Sequence, residues 1–202
     1  MAIKEFPSLP TPSIKGQSGK YLTTNGSSLS WGTVATDKTI SQIASGSITS
    51  GTSLSLISLS NYDTLKFRFS SVTTNNAYNI TATINGTSSN YDWVKVEGAS
   101  NSTDWSEWNR NTFSTSNSSI GLNGTSIFNS NADNCLQLDL TNCKSTGFTF
   151  FEWTYIYRIY ASTSYYGRSH GRGVLKSAAA VNSLEINCTA TFTAGNYVLW
   201  GA

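Results

Sequence analysis

Residues 148–160, Phe148-Thr-Phe-Phe-Glu-Trp-Thr-Tyr-Ile-Tyr-Arg-Ile-Tyr160, form the longest run in this 202-residue chain in which apolar side chains return at every second position. Phe151, Trp153, Tyr155, Tyr157 and Ile159 share one face of an extended segment, opposite Glu152, Thr154 and Arg158. A period of two is that of a strand with one buried face, so the stretch predicts the central strand of a β core.

The same period recurs on either side. Leu65, Phe67 and Phe69 alternate with Lys66, Arg68 and Ser70, and Tyr78, Ile80, Ala82 and Ile84 alternate with Asn79, Thr81 and Thr83. Leu136, Leu138 and Leu140 alternate with Gln137 and Asp139, and Leu184, Ile186, Cys188, Ala190 and Phe192 alternate with Glu185, Asn187, Thr189 and Thr191. Half-buried antiparallel strands carry this pattern. Turn clusters separate them at Asn85-Gly86, Asn123-Gly124, 145–147, 167–173 and Ala194-Gly195. No segment shows a helical period, and no repeat of propeller or solenoid length is present. About eight short strands with such punctuation predict an all-β head over 54–202, an antiparallel β-sandwich of jelly-roll type that closes on the short strand Asn196–Gly201.

Composition narrows the class. Ser, Thr and Asn make up roughly two-fifths of the chain, against 12% charged residues, about half the usual charged share. The 12% aromatic content supplies a core and argues against disorder. A net charge of +2 without a basic cluster lacks the phosphate-neutralising stripe of a nucleic-acid binder. No run of eighteen apolar residues is present and the N-terminus has no apolar signal region, so neither membrane insertion nor a cleaved export signal is expected. Cys135, Cys143 and Cys188 lack metal-site spacing and predict reduced, buried thiols; no metal or cofactor is expected.

Residues 1–15 hold all three prolines, Pro7, Pro10 and Pro12, interleaved with Phe6, Leu9 and Ile14. Proline removes backbone donors, so this arm reads as an extended docking peptide. Residues 34–53, with Ile40, Ile43 and Ile48 spaced by small polar residues, read as a neck or linker. Between them, 16–33 contains the hairpin signal Asn25-Gly26 and reads as a small β adaptor.

The pattern Gly16-x-x-Gly19-Lys20-x-Leu22-x-Thr24-x-Gly26 followed by Trp31 resembles a small module of structural proteins of tailed bacteriophages, especially tail fibres of marine and cyanobacterial phages. The resemblance implies a virion protein made in a host cytoplasm, a tail-fibre or spike subunit forming a homotrimer. Its arm would dock on other virion proteins, and its head would bind a host-surface glycan or protein. On this reading Tyr21, Leu22 and Trp31 pack against neighbouring subunits. A capsid-surface fibre or decoration protein and a free carbohydrate-binding module are the alternatives.

Two segments carry candidate contacts. Trp105 and Trp108, within a long, irregular polar loop expected over 98–117, offer indoles suited to stacking on sugars or anchoring a partner. Tyr165, Tyr166, Arg168, His170 and Arg172 read as a second, aromatic and basic loop. Gly167-Arg168-Ser169-His170-Gly171 matches a G-x-S-x-G nucleophile elbow by letter, yet its only histidine adjoins the serine and no helix follows. Asp104 and Glu107, or Asp92 and Glu97, are the nearest thing to a carboxylate pair for glycoside cleavage, and chance spacing accounts for both. No catalytic residue is assigned.

Overall fold

A computed structural model describes residues 12–15, 17–18, 20–24, 27–33, 39–100, 110–123, 134–158, 166–177 and 179–202. The chain divides into two compact units, 1–39 and 40–202. In the first, β1 (Lys20–Thr24) and β2 (Leu29–Thr33) pair antiparallel, with Thr24 opposite Leu29. The Tyr21 ring lies across Gly32, where an added Cβ would meet the phenol carbon at 2.7 Å. Trp31 donates its indole N–H to Ser13 O at 2.9 Å.

The second unit is all-β among the described residues. Its strands are β3 (Ser41–Ser47), β4 (Ser53–Ile57), β5 (Thr64–Thr74), β6 (Ile80–Ile84), β7 (Tyr91–Ser100), β8 (Arg110–Asn117) and β9 (Ile120–Gly121), then β10 (Cys135–Thr141), β11 (Thr149–Arg158), β12 (Tyr166–Leu175), β13 (Ser183–Cys188) and β14 (Phe192–Gly201). One sheet runs β4-β13-β6-β9, the other β3-β14-β5-β10-β11-β12-β7-β8, with every pairing antiparallel. Set aside β7-β8 and β11-β12, and the eight remaining strands take the orders 1-8-3-6 and 2-7-4-5, the double Greek key of a jelly roll. The two extra hairpins are insertions: β11-β12 adds beside β10 and β7-β8 adds beside β12, extending one sheet to eight strands.

The predicted strand periods are present. Phe151, Trp153, Tyr155 and Tyr157 are buried while Glu152, Thr154, Ile156 and Arg158 are not, and β5, β6, β10 and β13 bury their apolar sets in the same way. Ile159 lies outside the described residues. These inward faces make one core, in which Phe69 meets Phe192 edge-on at 5.5 Å. A polar knot sits inside it. Asn134 accepts from Val72 N at 2.9 Å and donates to Val72 O at 2.8 Å, continuing the β10 ladder with a side-chain amide where β5 turns at Ser71 (φ +54°). Asn134 also donates to the Tyr78 hydroxyl at 2.9 Å, which lies 3.2 Å from that of Tyr155. Burial pushes the Tyr78 phenol up to about 12 and that of Tyr155 well above its usual 10.0, so both act as neutral hydrogen-bonding groups.

Four expectations change. Residues 34–53 are not simply a neck: β3 is the edge strand beside β14, and Ile48 is buried in the core. An edge strand needs few apolar positions, which is why Ser- and Gly-rich spacing concealed it. Segment 167–173 is not a turn but the middle of β12. The irregular stretch expected over 98–117 contains the edge strand β8. Cys135 is exposed, because it stands on the outward side of β10, whereas Cys143 and Cys188 are buried and free.

Candidate functional site

β12 explains both its own glycines and the site they support. Gly167, Gly171 and Gly173 alternate with Tyr166, Arg168, His170 and Arg172, so the small residues face inward and the large ones outward. The rings of β11 fill the space the glycines leave: a Cβ on Gly167 would strike Tyr157, one on Gly171 would strike Trp153, and one on Gly173 would strike Phe151 and Asp92 O. Aromatic residues laid over strand glycines in this way restore the buried surface that glycine lacks. Ser169 is fully buried on the inward side and lies 3.3 Å from the Trp153 indole N–H that it accepts. It therefore faces away from His170, and the G-x-S-x-G letters describe a strand and not a nucleophile elbow. Farther along the same inward face, Lys95 stands 3.4 Å from Glu97 Oε1 and 5.4 Å from the Trp93 ring centre, a charge pair buried without hydrogen-bond alignment.

The outward face carries Tyr166, Arg168, His170 and Arg172 in one line. Strand register sets Glu152 and Val94 beside Arg172, Thr154 and Val96 beside His170, and Ile156 and Gly98 beside Arg168. Two depressions run along this face. One, of about 640 Å³, is lined by Val94, Phe113, Asp139, Phe150, Glu152 and Arg172 among others. The other, of about 560 Å³, is lined by Val96, Gln137, Thr154, Arg168, His170 and Arg172 among others. Each lies within the usual range for a ligand site. Phe113 and Phe150 are 73% and 53% exposed, a costly placement for phenyl rings unless something covers them.

Of the residues singled out by sequence, Tyr166, Arg168, His170 and Arg172 are brought together, on a strand instead of a loop. Trp105, Trp108, Tyr165, Phe6, Pro7, Leu9 and Pro10 lie outside the described residues, as do Asp104 and Glu107. Pro12 is half-buried, Ile14, Tyr21 and Leu22 are exposed, and Trp31 is half-buried. Asp92 and Glu97 face opposite sides of β7 and make no carboxylate pair. Sequence reasoning passed over Phe113, Phe150, Glu152 and Asp139. For Phe150 and Glu152 the signal was present, since both share the outward parity of Thr154 on the opening stretch.

Two carboxylates of the face already have cations. Asp92 sits 2.8 Å from Lys176 Nζ and accepts from Ser116 N at 2.9 Å, and these contacts hold its carboxyl below the usual 3.8. Asp139 lies 3.9 Å from Arg68 and accepts from Gln137 at 3.0 Å. A depressed carboxyl stabilises the fold when ionised, so the Asp92 contribution is complete above its unfolded value and is lost as pH falls through the lower folded one. Melting curves below pH 4 should therefore fall more steeply for the native chain than for Lys176→Gln; parallel curves would remove the pair from the account.

Among the described residues, no group of three or more His, Cys, Asp or Glu side chains is arranged to hold a metal, and no helix is long and apolar enough to cross a membrane. No family model, curated protein or solved structure matches the chain.

Proposed function

We propose that this chain is a virion fibre or spike subunit of a tailed bacteriophage, assembled as a homotrimer, whose jelly-roll head attaches to the host surface. The observation that carries the reading is the outward face of β10-β11-β12-β7. Two inserted hairpins enlarge one sheet of the roll, and the enlarged face holds a line of Arg, His and Tyr beside two exposed phenyl rings. Guanidinium and phenyl groups displayed on rigid strands suit recognition of a glycan or protein, since the donors and stacking surfaces are fixed before the ligand arrives. The phage assignment is supported by the Gly16–Trp31 resemblance and by the separate hairpin unit that this segment forms. In that role the exposed Tyr21 and Leu22 face other virion proteins or neighbouring subunits.

The reading is tested on particles. Proteomics and immunogold labelling of purified virions from infections in which the chain is expressed should find it on projecting fibres or spikes. Abundant expression with none in the particle would remove the virion role, and labelling confined to the capsid shell would favour a decoration protein.

A further inference from the structure

We infer that the ligand of the outward face is an acidic polysaccharide, gripped through its carboxylates by Arg168 and Arg172 with His170 between them; the inference rests on the host-attachment reading above. Three features of the face lead to this ligand class.

The first is alignment. β12 is an interior strand, paired along its length with β11 on one side and β7 on the other, so its outward residues keep a common direction. Arg168 and Arg172 are four residues apart, about 13 Å along a strand that rises ~3.3 Å per residue. Two fixed cations at that separation match a chain that repeats its charge, and the two adjoining depressions provide for several sugar units.

The second is charge complementarity. Asp92 is engaged by Lys176 and Asp139 by Arg68, whereas among the described residues Arg168 and Arg172 have no carboxylate within 4 Å. Glu152, next to Arg172 in the register, is the remaining acid of the groove among the described residues. Two guanidinium groups against one carboxylate leave this face in want of anions. A guanidinium presents paired N–H groups that fit both oxygens of a carboxylate.

The third is the apolar rim. Phe113 on β8 stands opposite Val94, and Phe150 on β11 stands opposite Val174. Exposed rings flanking a cationic line suit the C–H faces of sugars, where a small inorganic anion would leave them idle.

Affinity electrophoresis of the full chain tests this, with polygalacturonate, alginate and hyaluronate as carboxylated probes, dextran sulfate and single-stranded DNA as other polyanions, and dextran as the neutral control. At least one carboxylated probe should retard the native chain, less so as salt rises, and dextran should not. Arg168→Gln/Arg172→Gln should weaken retention at least about tenfold and Phe113→Ser about threefold, with unchanged melting temperatures; these magnitudes follow from the loss of charged contacts and of one stacking surface. The lysine pair Arg168→Lys/Arg172→Lys should restore only part of the binding, because it keeps charge but loses the fork.

Retention by none of the three carboxylated probes, or retention unchanged in the glutamine pair, would overturn the inference. So would tighter binding to DNA or dextran sulfate, or a native oligomer that the glutamine pair converts to monomers, since the face would then belong to a different occupant. Host-cell adsorption that persists in the glutamine pair removes this inference and leaves the attachment reading standing, whereas absence of the chain from virions removes the attachment reading itself.

Discussion

Gly173→Ala is expected to destabilise the head by about 3 kcal/mol, the upper end of what overpacking a buried site usually costs. The new Cβ would fall on Asp92 O, a backbone atom of the neighbouring strand, as well as on the Phe151 ring. A flexible side chain can swing aside; a paired strand cannot without breaking its ladder. Gly171→Ala should behave alike, because its Cβ would come within 2.6 Å of Val94 O and closer still to Trp153. Gly98→Ala is the control, since nothing lies within 4 Å of that Cβ, and replacing a strand glycine in open space is neutral or slightly stabilising. Urea midpoints of the three variants decide the matter. Equal stability for Gly173→Ala and Gly98→Ala would mean that β12 is not seated between β11 and β7 as described.

Asn134→Ala should be at least as damaging, about 4 kcal/mol. The truncation leaves Val72 N–H, Val72 C=O and the Tyr78 hydroxyl without their shared partner in a buried setting, and each buried polar group left unmatched costs about 1–3 kcal/mol, partly offset where water enters. Tyr78→Phe removes one end of the same network and should cost about 1 kcal/mol. The two changes share a hydrogen bond, so the double variant should lose less than the sum of the singles. Chemical denaturation of the four proteins in this cycle gives the coupling directly; strict additivity would show that the Asn134–Tyr78 contact contributes nothing.

These two sites also show how far the sequence could be read. Strands β5, β6, β10, β11 and β13 were legible because each alternates large apolar residues with polar ones, and burial follows that alternation residue by residue. β12 was not, because its inward positions before Leu175 are Gly, Ser, Gly and Gly, letters that otherwise mark a turn. Its core is supplied by another strand, by the rings of Phe151, Trp153 and Tyr157, and nothing local to 166–175 announces that loan. The outward alternation of Tyr166, Arg168, His170 and Arg172 was visible all along and was the better guide. β3 was hidden for a different reason: as an edge strand it buries little, Ile43 and Ala44 only in part.

The jelly-roll class followed from strand count and turn spacing, whereas the two inserted hairpins did not. β11-β12 joins the sheet through its pairing with β10, but the place of β7-β8 depends on long-range pairing of β12 with β7, strands separated by the whole of β8 to β11. That pairing makes the site. It sets the outward residues of the Gly-rich strand next to Val94, Val96 and Glu152, and turns what read as a basic loop into a rigid, one-sided array.

Hydroxyl-radical footprinting of the full chain, with and without envelope fragments of the host cell, tests the central claim most directly. Protection of Phe113, Phe150, Tyr166 and His170 on the outward face is expected, with the reactivity of Tyr21 and Ile57 unchanged by the fragments. Protection confined to Tyr21 and its hairpin, or to Ile57 on the opposite sheet, would contradict it.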